Sequence, residues 1–88
     1  MKTYHLTVST PDGNVFSGQC TELLVKGTEG ELVVMAGHIP FVTSLVPSRC
    51  TLWLEDGTEK AATVDGGVLT VGKDSVTLIA GSFKFTEE

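Results

Sequence analysis

The stretch that decides the fold is Gly67-Val68-Leu69-Thr70-Val71-Gly72-Lys73-Asp74, continuing as Ser75-Val76-Thr77-Leu78-Ile79-Ala80. Two glycines enclose four residues and a lysine follows, which matches the start of a phosphate-binding loop. That chemistry needs a flexible loop with amides turned to phosphate, a Ser or Thr for magnesium, and a helix behind. Here Asp74 stands at the magnesium position, the enclosed residues are β-branched and apolar, and the next segment alternates like a strand. The stretch therefore reads as strand, turn, strand, and the chain as all-β rather than as a nucleotide-binding α/β unit.

Working outward, the same period of two recurs. Tyr4, Leu6 and Val8 alternate with Thr3, His5 and Thr7 as a half-buried strand. Thr10-Pro11-Asp12-Gly13-Asn14 turns it, and Val15-Phe16-Ser17-Gly18 returns. Cys20 to Lys26 alternates with Leu23 and Val25 inward, Gly27-Thr28-Glu29-Gly30 turns, and Glu31 to Met35 is a more apolar strand. Gly37-His38-Ile39-Pro40 breaks the pattern, and Phe41 to Val46 fits either a short strand or irregular chain. Cys50 to Leu54 alternates up to the Asp56-Gly57 hairpin signal, and Lys60 to Val64 comes back. No window carries an apolar stripe at helical spacing behind a cap. Short strands with turn signals every ~8–12 residues predict a ten-stranded β-sandwich or flattened barrel. Residues 1–82 form that domain and 83–88 a C-terminal tail.

The chain has 88 residues, enough for one domain with a thin core. Six basic against eleven acidic residues give a formal charge of −5, and the basic residues are scattered singly. Neither nucleic acid nor an anionic membrane surface would be held by such a distribution. No segment approaches the ~20 apolar residues of a membrane helix, and the start lacks an apolar signal core. Cys20 and Cys50 are too few for a disulfide framework.

Candidate chemistry is sparse. His5, Cys20, His38 and Cys50 lack the close ligand pairs of a zinc site, so no metal is expected. No nucleophile sits in an elbow or oxyanion context, so no catalytic residue and no cofactor is assigned. Glu29 and Glu31 could act as an acid and base, but two carboxylates at a glycine turn more often form a solvated surface. Trp53 reads as core sooner than as an anchor for a partner. His38, between Gly37 and Ile39-Pro40, marks a fixed loop of the kind that carries binding residues.

The turns, in order, resemble the epsilon subunit of F-type ATP synthases. Tyr4-His5-Leu6-Thr7-Val8, Thr10-Pro11-Asp12-Gly13 and Phe16-Ser17-Gly18 resemble its opening. Gly27-Thr28-Glu29-Gly30-Glu31-Leu32, Gly37-His38-Ile39-Pro40-Phe41, Leu45-Val46-Pro47, Val64 to Val71 and Val76 to Ala80 continue it. The resemblance implies a non-catalytic part of the central stalk, peripheral to the cytoplasmic face of the cell membrane. It would link the gamma subunit to the membrane c-ring and couple proton or sodium flow to ATP synthesis. It implies that Glu29, Gly30 and Glu31 face the ring, with Gly37, His38 and Ile39 on a neighbouring loop at the same end. It implies that Phe41, Val42 and Thr43 pack on gamma.

The sequence departs from the family pattern in three places. Leu32-Val33-Val34-Met35-Ala36 replaces Phe-Gly-Val-Leu-Pro, Val46-Pro47-Ser48 replaces Lys-Pro-Gly, and no helical hairpin follows Ala80. In the family that hairpin inhibits hydrolysis and in some members binds ATP, so neither role is expected here. The strand-like Ser82-Phe83-Lys84-Phe85 favours a naturally short chain over a trimmed one. The rival reading is a biotinyl- or lipoyl-type carrier, for which Lys73 sits at a hairpin tip but between Gly72 and Asp74 instead of Met or Ala neighbours.

Overall fold

The computed structural model describes residues 2–37 and 39–86. It contains seven strands: β1 (Tyr4–Thr10), β2 (Gly13–Gly27), β3 (Gly30–Met35), β4 (Phe41–Leu54), β5 (Glu59–Val71), β6 (Ser75–Ile79) and β7 (Phe83–Thr86). The described residues contain no helix. The order β1-β6-β5-β4-β2 closes on itself because β2 also pairs with β1. All pairings are antiparallel except β1 with β6. β3 extends this circuit from β2, and β7 covers the edge of β5 that β6 leaves at residues 61–64.

The all-β class is as expected, but the strands number seven, not ten. β2, β4 and β5 run for 15, 14 and 13 residues, continuing through positions where breaks were expected. Val15–Gly18 and Cys20–Lys26 are thus one strand, whose register against β4 shifts between Cys20 and Glu22. A bulge of this kind turns a strand without ending it. Phe41 to Val46 is the start of β4. Residues 83–86 of the expected tail are β7, paired on β5 with Phe83 buried. Alternation there buries one aromatic, which the thin core of a small domain can use.

Period-two burial explains the rest. Leu6, Leu23, Leu52, Leu69 and Leu78 are fully buried, one from each of five strands, with Val8, Val25 and Val34 between them. No polar or charged residue among those described is buried. Tyr4 enters the core by donating its hydroxyl to the Val34 carbonyl at 2.9 Å, so β3 is held to β1 without pairing with it. Trp53 is half-buried, beside Glu22 and Glu59 in the ladder, and not fully in the core.

The sharpest backbone constraint lies in β5. Gly67 has φ +145°, and a Cβ there would meet the Ile79 carbonyl oxygen at 2.1 Å. Gly13 also has a positive φ but opens into free space. Gly67→Ala should therefore cost at least ~3 kcal/mol, a large part of the stability of a small domain, and Gly13→Ala about 1. Urea unfolding midpoints of the two variants check this; equal losses would show that the contact, as opposed to the dihedral, carries no penalty.

Candidate docking surface

The β2–β3 hairpin turns through Thr28 and Glu29, with Gly27 opposite Gly30. The Thr28 N–H donates to the Ser44 carbonyl at 3.3 Å, which pins the turn against β4. A hollow of about 290 Å³ results, lined by Glu29, Gly30 and Glu31 on one side and Phe41, Val42 and Thr43 on the other. Glu29 and Glu31 are exposed, and Glu31 lies opposite exposed Lys26 across the ladder. Val42 is 67% exposed, and Ile39, just before β4, is 81% exposed.

The two sets of residues assigned to ring and gamma thus meet around one depression. Gly37 does not join them. It follows the far end of β3, a six-residue strand about 20 Å long, and borders a separate hollow with Thr3, Tyr4 and Lys73. His38 lies outside the described residues.

Sequence reasoning missed the continuation of the apolar flank. Val68 lies opposite Ser44 and Ile79, and Val42 opposite Thr70, so the alternation places exposed Val42, Val68 and Ile79 on one sheet face. The signal was the double-apolar Leu78-Ile79, where both strand faces carry hydrophobic residues.

Groups weighed for chemistry sit elsewhere. His5 Nε2 contacts Ser17 Oγ at 2.9 Å, a spacing suited to a nucleophile and its base. However, the Gln19 amide nitrogen donates to His5 Nδ1 at 3.4 Å, while Gln19 Oε1 accepts from Thr3 at 2.9 Å. The ring therefore carries its proton on Nε2 and donates to Ser17, the wrong direction for a base. Among the described residues no three His, Cys, Asp or Glu side chains converge as metal ligands. Lys73 is exposed in the β5–β6 turn, where the Gly72 N–H donates to the Ser75 carbonyl at 2.7 Å.

These features define a small closed β-sandwich with an acidic turn beside an exposed apolar flank. The family described as the ATP synthase delta/epsilon chain β-sandwich domain matches residues 3–86. The chain belongs to that family. It is 42% identical over 80 residues to the ATP synthase epsilon chain of Acinetobacter baylyi, covering 91% of this chain and 58% of that one. It is 36% identical over 88 residues to that of an Exiguobacterium species, covering 100% and 65%. This chain thus spans about three-fifths of the length of those relatives. Two cryo-EM structures share the fold at low identity. One is the Euglena gracilis mitochondrial ATP synthase with OSCP, F1 and c-ring, where the matching chain has TM-score 0.89 and 22% identity, covering 94% of this chain and 53% of that chain. The other is the central stalk and c-ring of the Tetrahymena thermophila enzyme, with TM-score 0.75 and 16% identity, covering 93% and 66%.

Cys20 and Cys50 are both buried, and loss of solvent pushes each thiol up to about 11. Their neutral forms suit the core, so this contribution to stability is whole below about pH 9 and is lost as pH rises through about 11. Each thiol should then steepen the loss of stability over that interval by up to ~1.4 kcal/mol per pH unit. Urea titrations from pH 8 to 11 check this against a Cys20→Ala, Cys50→Ala variant, whose alkaline limb should be shallower; an identical limb would place the effect elsewhere.

Proposed function

We propose that this domain serves as the rotor-side domain of an ATP synthase epsilon subunit, linking gamma to the c-ring in the central stalk. Its role is mechanical, with no reaction of its own. Glu29, Gly30 and Glu31 grip the polar loops of the ring, and Phe41, Val42 and Thr43 pack on gamma. The single observation that carries this reading is the hollow that brings these two sets together. A surface of that form lets one rigid domain hold two neighbours at once. Its apolar side supplies area, and its carboxylates supply orientation and selectivity. Gly37, His38 and Ile39 add a second contact with the ring.

A closed sandwich suits torque transmission, since bending it would break ladder hydrogen bonds around the whole circuit. No described helix is long and apolar enough to cross a membrane. In the stalk role proposed here the domain sits peripherally on the cytoplasmic face of the cell membrane and joins ion translocation to ATP synthesis through its two neighbours. The carrier reading has less support, because the Lys73 turn is tied to β1 by the Asp74 carbonyl, which accepts from the His5 N–H at 3.2 Å.

The test is capture of synthase subunits from source-cell membranes by the tagged chain. Wild type should retain gamma, the head and the ring. Glu29→Lys with Glu31→Lys should retain gamma but lower ring recovery about tenfold, and Val42→Glu should lower gamma recovery by a similar factor. Both variants should keep the wild-type circular dichroism. Folded wild-type chain that retains no synthase subunit would sink the stalk role, and full recovery by both variants would sink the residue assignment.

A further inference from the structure

We propose that β7 is a latch that opens as a unit while the sandwich stays closed, and that the Asp65 carboxylate fastens it. This does not rest on the stalk reading. Residues 68–71 of β5 pair with β6, and residues 61–64 pair with β7, along the same edge and in one unbroken register. Between the two ladders, residues 65–67 face residues 80–82. There the ordinary pairing fails: the Ala80 N–H leaves β5 and donates to the Ser9 carbonyl at 3.0 Å. Asp65 alone spans the gap. Its N–H donates to the Ser82 carbonyl at 3.3 Å, and its Oδ1 accepts the Ser82 N–H at 2.9 Å. Its Oδ2 lies so close over Gly81 that a Cβ there would meet it at 2.8 Å.

The two strands beyond this junction are held very differently. β6 pairs on both sides, with β1 and with β5, and belongs to the closed circuit. β7 pairs only with β5 and lies outside it. Its remaining ties are buried Phe83 and an edge-on aromatic cluster. Phe85 meets Phe83 at 5.4 Å and Phe16 at 6.2 Å between ring centroids, and Lys60 Nζ lies 5.5 Å from the Phe85 ring. Four residues on one ladder, hinged at a glycine, make a cooperative unit with a lower opening free energy than the barrel. Opening it uncovers the 61–64 edge of β5 and breaks no pairing of the circuit.

Native-state hydrogen exchange of the full chain, followed by NMR in sub-denaturing urea, tests this. The amides that join residues 61–64 to residues 83–86, as distinct from those by which residues 61–64 bond β4, should exchange together, at least about tenfold faster than those joining β6 to β1 and to residues 68–71, and with a smaller urea dependence. Asp65→Ala should speed the first group by a further factor of about ten or less and leave the ratio within the second unchanged. Asp65→Asn, which keeps the Oδ1 acceptor, should return most of that protection. A common rate and urea slope for both groups in wild type would overturn the latch. An unchanged rate for the first group in Asp65→Ala would overturn the part given to the carboxylate.

Discussion

The approach of Gly67 to the Ile79 carbonyl is the constraint on which the architecture depends. A closed sandwich with strands this long must carry several of them around a corner. Here the corner aligns across neighbours: Val46-Pro47 in β4, Gly66-Gly67 in β5, and Ala80-Gly81 between β6 and β7. Gly66 and Gly67 both take positive φ, which lets β5 turn sharply without leaving its pairing with β4. Pro47 has no N–H to leave unpaired at the bend. Because β5 turns there, its first half can pair with β7 and its second half with β6. Ala80 is then free to bond β1, which supports the parallel seam that closes the circuit.

Much of this was legible in the sequence, and what was not has a physical cause. The alternation of Tyr4, Leu6 and Val8 places β1 and its inward face directly, since one face meets the core and the other water. Asp56-Gly57 places the β4–β5 hairpin through local chemistry: Asp56 Oδ1 accepts the Thr58 N–H at 2.9 Å, and the hydrogen bonds from Thr58 hold that carboxyl below its ordinary range. Strand number was not legible. Glycines and proline read locally as stops, whereas tertiary pairing with β4 carries β5 straight through Gly66-Gly67. Phe83 reads as strand-like, but its place in the domain depends on the position of β5, which makes the edge for it to join.

The candidate surface was half legible for the same reason. The acidic turn and the Phe41-Val42-Thr43 strand are 12 residues apart between Glu29 and Phe41, and nothing in periodicity brings them to one hollow. The Thr28 N–H to Ser44 carbonyl bond does so, and backbone bonds between distant segments leave no residue-type signature. Gly37, by contrast, is carried by the six-residue β3 to the end of that strand away from the acidic turn.

The distribution of polar groups also separates holding the fold from meeting a partner. Every described charged residue lies outside the core, and the buried hydroxyl of Tyr4 is satisfied by a backbone carbonyl. Stability therefore rests on apolar burial and ladder closure, with little contribution expected from exposed charges. Glu29 and Glu31 are accordingly free to vary in sign without loss of the fold, and Val42, Val68 and Ile79 leave apolar area uncovered that the core does not use. An exposed apolar strip of this kind is disfavoured on an isolated soluble surface, and burial against a second surface removes its contact with water. The same chain thus keeps its rigid element and its adaptable element on different residues.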